Sequence, residues 1–266
     1  MPSPTPDPAL VDRFRADFER LIGRALEPDE RIGVAVSGGP DSMALLLLAH
    51  AAYGARALAA TVDHGLRAQA VEEAAMVHRQ CEAMGVEHAT LWPDQPLQGH
   101  AGVQARARAV RYRLLGQWAD ELGIAWIATA HHADDQAETL LMRIARGSGL
   151  AGLAGIRAVN RNLGPGPILR PLLTWRRATL RGIVEACGAR FALDPSNADT
   201  VYDRTRARAL LHATDWLDPE RVARTAANLA EDDALIARLA EEAWNDRAEA
   251  SNRAVAWRAE GLARPI

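Results

Sequence analysis

The sequence predicts an α/β fold in which a parallel sheet is covered by helices on both faces and is followed by a helical C-terminal extension. Short strands that are apolar on both faces alternate with helical segments, as is typical of parallel sheets. Polar motifs follow three of these strands, at residues 37–42, 63–67 and 131–138. Ligands of such folds bind at the carboxyl ends of the strands, so the three motifs are expected to meet in one active site.

The first elements follow in order from the amino end. Residues 9–26 carry apolar side chains at helical spacing and predict an amphipathic helix. The predicted strands are 31–36, 57–63, 86–91 and 124–130. The predicted helices begin after residue 42 and span 70–84, 103–122 and, ending at a glycine, 131–149.

The character of the chain changes after residue 149. A loop-rich link leads to a short strand within residues 168–175, a helix over 176–187, a DPSN turn and a basic segment at 203–211. Residues 219–250 have helical spacing and predict a further helix. The expected division is a catalytic domain at 1–215 and a helical extension at 216–266, which either belongs to a short form or is truncated.

The charged residues exclude several kinds of chemistry. All 31 basic residues are arginine, so a Walker phosphate loop or a Schiff-base lysine is excluded in this chain. With a net charge of −3, RNA binding would depend on local arginine clusters. Cys81 and Cys187 are far apart and predict neither a disulfide framework nor a cysteine metal site. No apolar run spans a membrane and the proline-rich start is no secretory signal, so a cytoplasmic protein is expected.

The segment SGGPDS forms the turn between the first strand and the following helix. Gly38 and Gly39 allow a tight turn that brings backbone amides close to phosphate oxygens, and Pro40 belongs to the same predicted nucleotide-binding segment. Ser37 and Ser42 can donate to phosphate, while Asp41 can hold Mg²⁺ bound to that phosphate. Whether Asp41 or Asp134 holds the metal is left open by the sequence. The alternative is an ordinary strand-to-helix turn with a capped helix. The segment fits neither GxGxxG nor the Walker pattern.

SGGPDS resembles the pyrophosphate loop of the N-type ATP pyrophosphatases, which have a Rossmann-like, adenine nucleotide alpha hydrolase-like fold. Three further segments, VDHGLR, HHADDQAETLLMRIARGSG and DPSN with YDRTRAR, follow in order. Together with the arginine-rich ARARAVRYRLL they resemble the tRNA(Ile)-lysidine synthase family over about residues 30–212. The motif of that family has an asparagine where Thr205 stands, so the contacts of the basic segment are less well matched.

The resemblance implies an ATP- and Mg²⁺-dependent ligase that adenylates the wobble cytidine of tRNA(Ile) with a CAU anticodon and then joins L-lysine to it. In the family, the positions matching Asp135 and Glu138 contact lysine, and the position matching His131 lies beside the reacting centre. Arg206 is the predicted functional residue of the basic segment, and Arg111 the predicted nucleotide contact. Arg106 and Arg143 are further candidates. The assembly, including a homodimer, is left open.

Each of these residues also has a purely structural interpretation. Asp135 and Glu138 lie on one face of the predicted helix, where acidic side chains complement the helix dipole. His131 and His132 are equally compatible with a core role. The arginines at 204, 206 and 208 would spread over a wide arc and could form a solvated face. His64 is expected to shape its strand end, Trp118 and Trp126 to pack in the core, and both cysteines to be buried.

Three rival functions are compatible with the loop. A tRNA thiolase would carry paired cysteines, and an amidotransferase-type synthetase would need a glutaminase domain or partner. A non-catalytic nucleotide sensor would bind ATP without releasing pyrophosphate.

Overall fold

The computed structural model describes residues 5–65, 68–95, 103–161, 163, 166–192, 203–250 and 255–257. Its eight strands are β1 (Arg31–Ala35), β2 (Ala57–Val62), β3 (His88–Leu91), β4 (Ile124–Ala128), β5 (Val159–Asn160), β6 (Ile168–Leu169), β7 (Ala248–Ala250) and β8 (Val255–Trp257).

The α-helices of the described chain are α1 (Pro8–Ile22), α2 (Pro40–Tyr53), α3 (Ala68–Met84), α4 (Val103–Leu122), α5 (Ala133–Ala145), α6 (Leu150–Leu153), α7 (Arg177–Ala186), α8 (Asp203–Ala213) and α9 (Pro219–Arg247). None of these helices is long and apolar enough to cross a membrane.

The main sheet has six strands in the order β3-β2-β1-β4-β6-β5. All neighbouring pairs are parallel except β5 with β6, which are antiparallel at the edge. The chain moves outward from β1 through β2 to β3 and then crosses back to β4 on the other side of β1. The order therefore reverses between β1 and β4, and in sheets of this type the ligand crevice lies at that point.

Helices cover both faces of the sheet, which confirms the predicted fold class. The strand side chains alternate between two apolar layers, as the period of two in a strand requires. Ile32, Val34 and Leu169 point into the larger layer, against α1, α2, α3 and α7. Leu58 and Ile127 point into the smaller layer, against α4. Phe14 and Phe18 of α1 are fully buried in the larger layer, so the first helix belongs to the same core as the sheet.

Several predicted boundaries differ from the structure. The first helix ends at Gly23, whose φ of +79° is left-handed, so the prediction of helix to residue 26 was wrong. The last helix was predicted to reach residue 250, yet it ends at Arg247 and residues 248–250 pair with 255–257 as a hairpin. The alanine-rich local sequence favours helix, and pairing with a strand seven residues further on overrides it. The division into 1–215 and 216–266 stays a prediction.

Gly33 provides a test of packing between the sheet and α4. A Cβ at this position would lie 2.6 Å from Cζ3 of Trp118, whose indole is rigid and buried. We therefore expect Gly33→Ala to lower the free energy of unfolding by about 1–3 kcal/mol, because the buried ring must move. Chemical denaturation measures the change.

Gly182→Ala is the matched control for this substitution. Gly182 lies inside α7 and has open space around the position of a Cβ. Alanine is the better helix former there, so this change should raise the free energy of unfolding by about 0.5–1 kcal/mol. Equal effects of the two substitutions would contradict the close contact between Gly33 and Trp118.

Candidate active site

The SGGPDS segment follows β1 as predicted, but α2 begins within it, so Pro40, Asp41 and Ser42 form the first helical turn and the predicted start after residue 42 was wrong. The amide of Ser37 donates to Oγ of Ser42 over 3.1 Å, and the Ser42 hydroxyl donates to the carbonyl oxygen of Gly39 over 2.9 Å. The carbonyl oxygen of Gly38 accepts from the amide of Ala192 at 2.8 Å. These bonds fix the loop from within and tie it to the segment that follows α7.

The loop leaves backbone donors at the amino end of α2. Gly39 is the N-cap and no side chain caps the helix, so the amides of Asp41 and Ser42 have no intrahelical acceptor. Gly38 has a φ of +85°, and a Cβ there would lie 3.3 Å from Cε of Met76. The position therefore requires glycine. A helix amino terminus with free amides beside a glycine turn is suited to bind phosphate.

Asp41 and His132 connect this loop to α5. Oδ2 of Asp41 lies 3.4 Å from Nε2 of His132, which is fully buried. His132 is also the N-cap of α5, because its Nδ1 accepts from the amide of Asp135 at 3.4 Å. Burial alone would lower the pKa of His132, but the hydrogen bond with Asp41 and the nearby carboxylate charges raise it. A single imidazole thus joins the ends of β1 and β4.

The two candidate magnesium ligands, Asp41 and Asp134, differ in whether their carboxylate oxygens already have hydrogen-bond partners. Oδ1 of Asp41 is buried and has no hydrogen-bond partner among the described residues. Asp134, in contrast, accepts from the amide of Arg177 at 2.8 Å and lies 3.5 Å from Nε of Arg176. Within the described ranges no group of three or more His, Cys, Asp or Glu could hold a metal ion. A magnesium ion fits here only as one carboxylate contact completed by phosphate and water, as Mg²⁺ commonly binds.

The predicted carboxylates Asp135 and Glu138 lie together on α5 and face arginines. Glu138 is 1% exposed and accepts from Nε of Arg204 and Nε of Arg208, each at 2.8 Å. Oδ1 of Asp135 accepts from Arg204 at 3.2 Å. Arg177 lies 3.6 Å from Glu138. Burial would raise the pKa of Asp135, but the charges of His132 and Arg204 keep it below its usual value. Asp135 therefore presents negative charge beside Glu138, whose two carboxylate oxygens each accept from an arginine.

His131 follows β4 and is half-buried beside the same cluster. Its Nδ1 lies 3.1 Å from the hydroxyl of Thr129. Burial lowers the pKa of His131 to about 3, opposed by Asp135 and reinforced by Arg170, Arg108 and Arg204. The imidazole is consequently neutral at physiological pH and can donate one hydrogen bond and accept another.

The lowered pKa of His131 predicts a pH dependence of stability. The unfolded chain binds a proton at this residue below pH ~6.5, whereas the folded chain does not until about pH 3. Wild type should therefore lose stability through this group as the pH falls from 6.5. His131→Gln should be more stable relative to wild type at pH 5 than at pH 7.5, by about 1–2 kcal/mol. Urea titrations at both pH values measure this, with the exposed His212→Gln as control. A difference that does not change with pH would contradict the lowered pKa.

The other predicted residues lie further from this cluster. Arg206 is exposed on α8, on the side away from Glu138, and Arg111 is exposed on α4 close to His64. Their proposed contacts stay predictions. Trp118 and both cysteines are buried as expected, and burial raises the pKa of Cys81 to about 12. The loop at residues 66–67 and the DPSN segment lie outside the described residues.

Arg204 and Arg208 were predicted only as members of a basic segment in which Arg206 was favoured, and Arg177 was not singled out from the sequence. Arg204 and Arg208, four residues apart on one helical face, reach Glu138 from 66 and 70 positions along the chain. Arg177 joins from the start of α7, and its Nε lies 3.4 Å from Nε2 of His132. The spacing of four residues between Arg204 and Arg208 indicates that they share a helical face. No local sequence pattern indicates that Arg177 belongs to the site.

Comparison with known proteins places this arrangement in a family. A PP-loop domain model matches residues 10–214. A tRNA(Ile)-lysidine synthase from Novosphingobium aromaticivorans is 49% identical over 238 residues, which cover 89% of this chain and 71% of that protein. Another from Zymomonas mobilis is 46% identical over 221 residues, covering 82% and 67%.

The fold is also found in a solved structure. The U34-tRNA thiolase NcsA from Methanococcus maripaludis, solved with its [4Fe-4S] cluster, superposes with a TM-score of 0.65 at 17% identity, covering 83% of this chain and 78% of that one. At that identity the likeness shows the fold alone. The family model and the lysidine synthases carry the assignment, and the chain belongs to the tRNA(Ile)-lysidine synthase family of PP-loop proteins.

Proposed function

We propose that this chain is an ATP-dependent ligase that joins L-lysine to C2 of the wobble cytidine, position 34, of tRNA(Ile) with a CAU anticodon. The observation that carries the proposal is the direct link between a phosphate-binding loop and a buried pair of carboxylates. Asp41 of the loop contacts His132, which caps the helix bearing Asp135 and Glu138. Two reactants bound at these positions would meet at the switch point of the sheet.

The first step is adenylation of the cytidine. The O2 oxygen of cytidine attacks the α-phosphorus of ATP, and pyrophosphate leaves. The amides of Asp41 and Ser42 and the hydroxyl of Ser37 bind the phosphates, while the Ser42 hydroxyl holds the loop in shape, so the charge that develops is stabilised by fixed donors. Asp41 is the residue that would hold Mg²⁺, which would neutralise phosphate charge when bound. His132 fixes the orientation of that carboxylate.

The second step is the attack of lysine. The ε-amine attacks C2 of the adenylated cytidine, a C–N bond forms, and AMP leaves with the C2 oxygen. Asp135 and Glu138 provide the negative charge that holds the lysine cation, and a carboxylate takes the proton that the amine must lose. Arg204, the most exposed of the three arginines at this pair, has to yield part of its contact when lysine binds.

The partners and the product follow from the same proposal. The product is a lysidine-modified tRNA, with AMP and pyrophosphate released into solution. The anticodon loop is the part of the RNA that must reach the cluster. A homodimer is compatible with the proposal.

Incorporation of labelled lysine tests the proposal directly. A tRNA(Ile) transcript with a CAU anticodon is incubated with Mg·ATP and labelled lysine, and AMP is counted in parallel. We expect one lysine and one AMP per modified RNA, and neither product with a transcript whose wobble cytidine is uridine. AMP release without lysine transfer would move the proposal to another nucleophile. ATP binding without AMP release would favour the nucleotide sensor.

A further inference from the structure

A cavity lies beside the cluster formed by Asp135, Glu138 and their arginines, and no step of the proposed reaction uses it. Its volume is about 400 Å³, and it opens between α4, α5 and the segment leading to β6. Six arginines line it, namely Arg108, Arg143, Arg146, Arg157, Arg170 and Arg204. Among the described residues no aspartate or glutamate lines it, and the imidazole of His131, which also lines it, is neutral at physiological pH. We call this space the arginine cavity.

Arg170 is the unusual member of this set. It is only 2% exposed and directly follows β6. Its guanidinium donates to the carbonyl oxygen of Arg157 and is hydrogen-bonded with Tyr112, but its buried Nε has no partner among the described residues. No carboxylate in the described chain forms an ion pair with it. Burial lowers the pKa of Arg170, and only Tyr112 opposes this.

A buried cation without a counter-ion is unfavourable for folding. Arginine stays charged in proteins, so its burial costs free energy of desolvation. An anion that binds to the buried guanidinium compensates for that cost. Arg157 pairs with Asp233 and Arg204 with Glu138, and the remaining positive charge of the walls raises the local concentration of anions. This arrangement is therefore suited to a ligand with negative charge.

The position of the cavity indicates which anion it binds. None of the residues 37–42 lines it, so it is separate from the loop that binds the ATP phosphates. It shares His131 and Arg204 with the carboxylate cluster, so its ligand lies next to the reacting base. Its volume exceeds that of a phosphate alone and is within the range of small-ligand cavities, about 300–1,000 Å³.

We infer that the arginine cavity binds a nucleotide of the RNA substrate next to the reacting cytidine, with the guanidinium of Arg170 as the anchor for its phosphodiester. This inference rests on the proposed function for the identity of the RNA. Binding through the phosphate positions the strand, and the neutral His131 is then placed against the reacting base.

Binding of a labelled RNA in the absence of ATP and lysine tests the cavity independently of ligation. The probe is a fluorescein-labelled anticodon stem-loop with a CAU anticodon, titrated with the full chain at several NaCl concentrations. Arg170→Met and Arg143→Ala should each raise the Kd about tenfold. The slope of log Kd against log salt should fall by about 0.7 for each variant, as expected when one phosphate contact in a single strand is lost. Arg238→Ala, an exposed arginine of α9 outside the cavity, is the matched control and should change neither quantity.

A neutral methylphosphonate at each linkage flanking the cytidine locates the contact. One of these modified RNAs should bind wild type about tenfold more weakly than the unmodified RNA does. The same modified RNA and the unmodified RNA should bind Arg170→Met equally well. If Arg170→Met does not fold, Arg143→Ala with the same RNAs gives the same test. Unchanged Kd and salt slope in the cavity variants would overturn the inference, as would the absence of RNA binding by wild type.

Two further measurements are needed. The first distinguishes an RNA phosphate from pyrophosphate as the ligand of the cavity, and the second distinguishes failure of this inference from failure of the proposed function. Pyrophosphate is titrated as a competitor of a fluorescent ATP analogue and of the RNA. If the variants lose pyrophosphate affinity and keep RNA affinity, the cavity is a product-anion site and the inference is wrong. If wild type binds RNA but transfers no lysine, the proposed function fails, and the loss of RNA affinity in the variants still supports the cavity.

Discussion

Asp41→Asn is expected to reduce AMP formation at least about a hundredfold while the chain stays folded. The substitution keeps the shape of the side chain and removes its charge. Oδ1 of Asp41 is buried without a partner at the amino end of α2, and Oδ2 faces His132. A carboxylate left in this state is available to phosphate-bound metal, and an amide binds Mg²⁺ far less well. Release of labelled AMP from ATP in the presence of tRNA measures the effect, and thermal unfolding checks the fold.

Asp134→Asn distinguishes the two candidate metal ligands. The carboxylate of Asp134 already accepts from the amide of Arg177 and lies against Arg176, so its role is to hold the start of α7. We expect Asp134→Asn to reduce AMP formation less than about tenfold, because it shifts the start of α7 and leaves the charge next to the phosphates unchanged. The reverse order of effects would assign the metal to Asp134. Unchanged AMP formation in Asp41→Asn would remove Asp41 from the mechanism.

Glu138→Gln is expected to separate the two steps of the reaction. The KM for lysine should rise about a hundredfold, because a buried carboxylate that pairs with a cation contributes about 2–5 kcal/mol. Adenylation of the RNA in the absence of lysine should change only a few-fold, since Glu138 has no contact with residues 37–42. Steady-state lysine incorporation and single-turnover AMP transfer to RNA measure the two effects separately.

A surface glutamate provides the control for this experiment. Glu185 pairs with Arg181 on α7 and its side chain is 54% exposed, so Glu185→Gln should leave both steps unchanged. Thermal unfolding is needed for Glu138→Gln, because Arg204 and Arg208 lose a charged partner. A raised KM with an unchanged unfolding midpoint supports direct binding of lysine. Equal losses in both steps would indicate that Glu138 acts by holding α8 in place.

The sequence by itself determined the class of the fold, the loop and its superfamily. These depend on local features: strands with two apolar faces, the 3.6-residue period of the helices, and glycines at the turn that follows β1. It also placed Asp135 and Glu138 on one helical face, because a spacing of three residues is enough to show it. A carboxylate with an unpaired oxygen at Asp41 could not be read from that pattern.

Only the tertiary structure decided which side chains meet. The reversal of strand order between β1 and β4 brings Asp41 to His132, and the packing of α8 on α5 brings Arg204 to Glu138 across 66 positions of sequence. The buried position of Arg170 depends on β6 pairing with β4 and on Tyr112 of α4. Arginines of one helix can face solvent, as Arg206 does, or reach a buried carboxylate, as Arg204 and Arg208 do. Which of these occurs depends on the partners that distant elements supply, and the local periods of a sequence do not contain that information.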